Sequence, residues 1–206
     1  MLQNRVDPRG EIINTKARGT TLGNRGVIHA INQNIVRAFR HKAWITCSLQ
    51  FKERHRIVMS PNCWTELFFL DEATAFAAGH RPCCECRRDN FKQFKRCWLQ
   101  GNPQRGFDPK VSIREIDNII HEERIGKDRE KITYEENVHD LPDGTFIIWE
   151  DDSFLLVGGF LYRWSPFGYS PGIAVPQKTR SVKVLTPRSI VNAFKAGYHP
   201  GTQLAN

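Results

Sequence analysis

The sequence predicts an α+β protein whose strands are largely antiparallel. Several short segments alternate apolar and polar residues with a period of two, which is typical of strands with one buried face. Other segments repeat apolar residues every three or four positions, as helices do. Turn-forming residues separate these segments, and neither an internal repeat nor a low-complexity tract is present. With 40% hydrophobic and 25% charged residues, the 206-residue chain has an ordinary globular composition.

The first predicted elements lie between residues 27 and 70. A helix is predicted over residues 27–42, because four apolar side chains recur there at helical spacing: Ile28, Ile31, Ile35 and Phe39. Residues 44–51 alternate and predict a strand, and residues 67–70 predict another. Between these two strands lie a charged connector at residues 52–56 and a turn at residues 60–62.

Two helices are predicted around a cluster of cysteines. Asp71 is a good N-cap for a short helix over residues 73–78, which Gly79 can close in the left-handed conformation. After the cysteines, residues 87–99 predict a longer helix that ends at Gly101. Its predicted buried stripe consists of three aromatic residues: Phe91, Phe94 and Trp98.

The second half of the chain predicts a separate α+β unit. Gly, Pro and Asn accumulate over residues 99–109, so we place a domain boundary there, with domains at residues 1–103 and 104–206. Ser112 and Glu115 form a capping box that opens a helix. Residues 144–164 predict a three-stranded antiparallel meander, and a final strand at residues 182–185 precedes a helix that stops at Gly197.

The positive charge of the chain is concentrated in its first half. Residues 1–110 contain 19 Lys and Arg against 9 Asp and Glu, whereas residues 111–206 contain 11 against 13. A basic half of this kind indicates a polyanionic partner, although a merely basic surface gives the same count. The sequence contains no apolar run long enough for a membrane helix and no signal-peptide pattern at Met1. We therefore expect a cytoplasmic or nucleoid protein without membrane contact.

The segment with the clearest chemistry is Gly79-His80-Arg81-Pro82-Cys83-Cys84-Glu85-Cys86. Cysteines without an export signal are expected to be reduced, and four of the six lie between positions 83 and 97. A C-x-x-C knuckle turns both sulfurs towards one point and can chelate a soft cation such as Zn²⁺. The pair follows a short helix rather than a strand, which disfavours a thioredoxin-like redox motif. Cys83 and Cys86 are therefore predicted to be two of four zinc ligands in a small region of short strands and helices.

Residues 68–88 resemble the second half of the zinc-binding domain of Ada-type methylphosphotriester DNA repair proteins. The shared features are a strand and short helix leading into Gly79, the Arg81-Pro82 pair and the C-x-x-C knuckle. The resemblance implies that Cys83 and Cys86 bind zinc and that the following helix faces DNA. The first cysteine pair of that family, which includes its methyl-accepting thiolate, has no counterpart here. Methyl transfer is therefore not carried over to this chain.

The third zinc ligand is predicted to be Cys47, which lies 36 positions before Cys83 and can return to it through a hairpin. Cys63, 20 positions before Cys83, is a close alternative. His55 is a further upstream candidate, and His80 can either bind the metal or cap the preceding helix.

The preferred function is zinc-stabilised nucleic-acid binding, with DNA favoured over RNA and a role in DNA repair or processing. The predicted phosphate contacts are the basic residues in and after the knuckle: Arg81, Arg87, Arg88, Lys92, Lys95 and Arg96.

Three other functions remain open from the sequence. Asp117 and His121 lie four residues apart on one predicted helix face, as a general acid and base would in a hydrolase or repair enzyme. A nucleobase deaminase would also use Pro82-Cys83-x-x-Cys86, but no upstream Glu is preceded by a ligand at the required position. A protein–protein adaptor with a structural zinc is the third alternative.

Overall fold

The structure is a computed structural model that describes residues 1–52, 57–178 and 181–204. The described residues of its first half form six strands and two α-helices. They are β1 (Gln3–Val6), β2 (Ile12–Asn14), β3 (Thr21–Asn24), β4 (Ile45–Cys47), β5 (Leu67–Phe69), α1 (Glu72–Ala77), β6 (Arg81–Pro82) and α2 (Arg88–Gly101). The strands form one mixed sheet in the order β2-β1-β5-β3-β4-β6. Within it, the β1–β5 and β4–β6 pairs are parallel and the other pairs are antiparallel.

The described residues of the second half form seven strands and two α-helices. They are α3 (Ile113–Arg124), β7 (Tyr134–Asn137), β8 (Thr145–Trp149), β9 (Asp152–Val157), β10 (Phe160–Ser165), β11 (Gly168–Tyr169), β12 (Ile173–Ala174), β13 (Ser181–Val184) and α4 (Arg188–Lys195). All strand pairs in this second sheet are antiparallel, and β8, β9 and β10 form the predicted meander. The predicted α+β class is therefore confirmed.

The largest buried cluster combines side chains from both halves of the chain. Phe76 of α1 and Phe94 and Trp98 of α2 pack with Ile120 of α3 and Phe194 of α4. The close approach of α2 to α4 needs Gly101, because a Cβ there would lie 2.1 Å from the carbonyl oxygen of Asn192. The boundary at 103/104 stays a prediction: it separates the two sheets, whereas this cluster joins them.

The prediction of a helix over residues 27–42 is wrong. The segment is a loop that turns at Ile31 and Asn32 and brings His29 against Ile35 in an isolated bridge. Ile31 is 79% exposed, so the apolar spacing there does not mark a buried helical face. The backbone hydrogen bonds of the loop are not helical: the Val36 amide donates to the carbonyl of Ile28 at 2.9 Å, and the Ile28 amide donates to the hydroxyl of Thr65 at 3.0 Å.

Within the described residues, no helix is both long enough and apolar enough to cross a lipid bilayer. The aromatic residues of the second half pack mainly into cores. Trp164 and Tyr169 lie against one buried cluster and Trp149 against another, whereas Phe167 is 73% exposed.

Candidate metal centre

Local structure positions the cysteine knuckle at the start of α2. Asp71 caps α1 by accepting the Thr74 amide at 2.8 Å, as predicted. Gly79 then reverses the chain with φ +81°, a conformation that L-residues with side chains rarely adopt. A Cβ at this position would also lie 2.4 Å from the side chain of Arg124. The chain is thereby turned from α1 into β6 and the knuckle.

Parallel pairing of β6 with β4 brings Cys47 to the knuckle. In this pair Ile45 lies opposite Arg81, and Thr46 lies opposite Pro82. The Cys83 amide continues the ladder by donating to the carbonyl of Thr46 at 2.9 Å. Cys47 therefore ends its strand beside the first cysteine of the knuckle.

The three sulfur atoms of Cys47, Cys83 and Cys86 lie within 4.8 Å of one another. Tetrahedral coordination with Zn–S bonds of about 2.3 Å separates the sulfurs by about 3.8 Å, so only small shifts would close the site on an ion. The set combines soft ligand atoms with partial burial, since Cys83 is buried and the other two are half-buried. These three cysteines can hold a metal ion.

Hydrogen bonding favours ionisation of one thiol of the set. The sulfur of Cys83 accepts hydrogen bonds from the thiol of Cys47 and from the backbone amides of Cys86 and Glu85. These hydrogen bonds lower the pKa of Cys83 to about 5. The pKa of Cys47 is raised by its hydrogen bond to Cys83 and by burial. Burial raises the pKa of Cys86. A thiolate stabilised by neighbouring amides is already in the protonation state that binds a metal.

The remaining cysteines and the candidate ligand His80 lie outside this cluster. Cys63 and Cys84 are exposed, whereas Cys97 is buried in the core. His80 is buried, and its Nε2 accepts a hydrogen bond from the Arg25 guanidinium at 3.2 Å. His55 and most of the charged connector, residues 53–56, lie outside the described residues.

The three cysteines also form part of the wall of a cleft of about 330 Å³. Its remaining lining is mixed, with apolar and aromatic side chains beside a few polar ones: Leu22, Asn24, Ile45, Ser48, Leu49, Phe51, Val58, Trp64, Glu66, Phe68 and Glu85. Sequence patterns do not predict Trp64 and Glu66 as site residues, because neither belongs to a motif and only the fold brings them to the cysteines.

Three of the six predicted phosphate contacts are engaged within the protein. Arg81 is 4% exposed and forms a bidentate pair with Asp117, with both hydrogen bonds at 2.7 Å. The assignment of Arg81 to phosphate contact is therefore wrong, because its guanidinium is enclosed and neutralised. Arg87 is half-buried and pairs with Glu72 at 2.7 Å. Lys95 is half-buried and donates to the carbonyl of Val111 at 2.7 Å.

The other three predicted contacts are exposed on α2. Arg88, Lys92 and Arg96 follow one another at intervals of four residues, so they lie along one side of the helix. The predicted apolar stripe of α2 is buried at Phe94 and Trp98, whereas Phe91 is half-buried. The helix therefore has one face in the core and a basic face towards solvent.

The structure does not pair Asp117 with His121 as an acid and a base. Both carboxylate oxygens of Asp117 accept from Arg81. His121 Nδ1 lies 2.7 Å from a guanidinium nitrogen of Arg124. Burial and the positive charges of Arg124 and Lys42 lower the pKa of His121 to about 4, so its imidazole is neutral at pH 7.

Comparison with known proteins adds no assignment, because the chain matches no family model, no curated protein and no solved structure. The resemblance of residues 68–88 to Ada-type zinc domains stays a prediction. The function must therefore be argued from the site itself.

Proposed function

We propose that the protein binds zinc through Cys47, Cys83 and Cys86 and that the exposed basic face of α2 binds nucleic acid, with DNA preferred. The observation that carries the proposal is the three-cysteine cluster immediately before this helix. Zinc is the expected metal because thiolate ligands select soft or borderline cations and zinc knuckles are commonly built on C-x-x-C. The resemblance to Ada-type zinc domains supports the same placement of metal and helix.

The metal would have a mainly structural role. Cys47 ends β4, whereas Cys83 and Cys86 lie in the turn between β6 and α2. A shared ion would therefore fix the start of α2 to the sheet and hold the basic face in one orientation. Such bonding is expected to add to stability, since structural zinc sites contribute folding free energy directly.

The metal part of the proposal is tested by the zinc content of the purified protein. We expect about one zinc per chain in the wild type and little in Cys47→Ser, because two thiolates hold zinc less tightly than three. Cys63→Ser is the matched control, since this exposed cysteine lies outside the cluster. Metal-free wild-type protein, or equal losses in both variants, would refute the three-cysteine site.

The nucleic-acid part is tested by the salt dependence of binding to duplex DNA. If Arg88, Lys92 and Arg96 each neutralise one phosphate, their contribution to the slope of log K against log salt is about −2.7. This contribution alone weakens binding about 40-fold between 50 and 200 mM salt. Changing all three residues to Gln should remove it while leaving the zinc content unchanged.

A matched control removes three positive charges from exposed sites outside α2: Arg163→Gln, Lys183→Gln and Lys195→Gln. The control should keep most of the wild-type affinity and salt slope, because its three substitutions lie outside the proposed binding face of α2. Equal weakening in both triple variants would show that only net charge matters and would contradict the α2 interface. Absence of DNA affinity at physiological salt would instead favour an adaptor with a structural zinc.

A metal-dependent hydrolase is a second candidate, and the cleft favours it. Among the described residues only three side chains form the metal cluster, and all three line the cleft. Zinc with an open coordination position supplies an activated water in hydrolytic enzymes. Turnover of DNA oligonucleotides by the zinc-loaded protein, lost in Cys47→Ser, would select this function over simple binding.

A further inference from the structure

A second cavity, of about 250 Å³, lies away from the cysteines and has a strongly cationic wall. Five of its lining residues are basic: Arg9, Arg25, Arg124, Arg129 and Lys131. Two are acidic, Glu11 and Glu130, and both are exposed. The exposed residues mark the mouth of the cavity, whereas Arg25, Trp44 and Arg124 are buried in its wall.

Arg25 is buried and has no carboxylate partner among the described residues. It is 2% exposed, its Nε donates to His80 at 3.2 Å, and one terminal nitrogen donates to the carbonyl of Gly10 at 3.0 Å. The guanidinium also lies 3.9 Å from the centre of the Trp44 ring. Its other terminal nitrogen, NH2, is buried and has no hydrogen-bond partner among the described residues. This N–H group is a donor without an acceptor in the wall of a cavity.

Arg124 is in a similar position. It is 2% exposed and lies 3.7 Å from the centre of the same Trp44 ring. Its terminal nitrogens donate to the carbonyls of Gly79 and Lys42 at 2.8 and 2.7 Å, whereas its Nε has no partner within the described part of the chain. Lys131, the third inner cation, donates to the carbonyl of Ala77.

This arrangement contrasts with that of Arg81, which is also buried. Arg81 has both oxygens of Asp117 as acceptors, which is the usual way in which a protein compensates a buried charge. Within residues 1–52, 57–178 and 181–204, no ion pair neutralises Arg25, Arg124 or Lys131. Asp7 exerts a favourable charge on Arg25 and Lys131, but it does not pair with either.

The unpaired charges are costly for the protein in the absence of an anion. Burial lowers the pKa of Arg25 to about 9, and burial together with the charges of Arg124 and Arg25 lowers the pKa of Lys131 to about 7. Burial and neighbouring positive charges also lower the pKa of Arg124. A bound anion would reverse these effects, because it would favour the charged form of each group.

We propose that this cavity binds a phosphate group, either as inorganic phosphate or as the terminal phosphate of a nucleotide or oligonucleotide. Its inner donors come from separate side chains, which suits the several oxygens of a tetrahedral anion better than the planar fork of a carboxylate. This site shares no residue with the cysteine cluster or with the basic face of α2, so its test does not depend on the proposed function.

The first test is calorimetric titration of the zinc-loaded wild type with inorganic phosphate in a chloride buffer. We expect saturable binding of one phosphate per chain with a Kd below roughly 1 mM, together with a rise in Tm as phosphate is added. No saturable heat and no rise in Tm at about 10 mM phosphate would overturn the proposal.

Two variants locate the bound anion. Lys131→Met removes an inner cation and should weaken phosphate binding at least about tenfold, since charge-assisted hydrogen bonds contribute more than neutral ones. Arg129→Asn removes a cation at the exposed mouth, where Asn tolerates the positive φ of 65°, and should weaken binding severalfold without unfolding the protein. Lys183→Gln is the matched control, because this exposed cation lies outside both the cavity and α2, and it should bind phosphate like the wild type. Wild-type affinity in both cavity variants, or equal weakening in Lys183→Gln, would overturn the site.

The source of the phosphate is identified by competition. The experiment uses the variant with Gln at positions 88, 92 and 96, so that α2 does not contribute. A 5′-phosphorylated oligonucleotide that displaces inorganic phosphate, where the 5′-hydroxyl oligonucleotide does not, would assign the cavity to a terminal phosphate. Equal failure of both oligonucleotides, with phosphate still bound, would assign it to the free anion.

Discussion

Replacing Asp117 with Asn tests how strongly the buried ion pair holds the knuckle to α3. Both hydrogen bonds from Arg81 to Asp117 measure 2.7 Å, and each side chain is only 5% exposed. Asn has nearly the same shape but no charge, so the variant leaves the guanidinium buried without its counter-ion. Breaking a buried pair in this way costs about 3–5 kcal/mol of unfolding free energy. For a chain of this size, the Tm should fall by roughly 10 °C.

Asp152→Asn is the matched control, because Asp152 pairs with Arg163 at 2.8 Å with side chains that are 44% and 59% exposed. Solvent screening limits such a pair to less than about 1 kcal/mol. Urea denaturation and thermal unfolding of both variants, with zinc content measured beside them, provide the comparison. A loss in Asp117→Asn no larger than that in Asp152→Asn would refute the role assigned to burial.

Three further predictions concern packing, titration and metal. Gly101→Ala should destabilise the protein by about 1–3 kcal/mol, since its Cβ would lie 2.1 Å from the Asn192 carbonyl oxygen; urea denaturation measures the loss. The lowered pKa of Lys131, about 7 in the folded protein, means that the unfolded chain binds more protons between pH 7 and about 10. In phosphate-free buffer, wild-type stability should therefore rise across this window relative to Lys131→Met, by up to about 1.4 kcal/mol per pH unit; parallel pH profiles would contradict this. Removing the metal with a chelator should lower the Tm of the wild type but not that of Cys47→Ser, as differential scanning fluorimetry would show.

The sequence predicts the elements whose signals are local. The Asp71 cap, the positive φ of Gly79, helix α2 and the meander each depend on residues within a few positions of one another, and the structure contains all of them. The apolar spacing of residues 27–42 wrongly predicts a helix, because periodicity does not reveal whether an apolar side chain is covered. Ile28 is buried, whereas Ile31 is exposed, and only the packing around the segment makes this difference.

The candidate sites likewise combine features that local sequence predicts with features that only the tertiary structure determines. The C-x-x-C pair could be identified from the sequence because the chain itself holds Cys83 near Cys86. The choice of Cys47 over Cys63 depends on parallel pairing between β4 and β6, which joins segments about 36 residues apart. The tertiary structure also encloses Arg81 beside Asp117, whereas Arg25 and Arg124 have no carboxylate partner in the part of the chain that the structure describes. The sequence determines which side chains are charged. Long-range packing determines which of these side chains are buried and which partners they have, because desolvation depends on which surfaces come into contact.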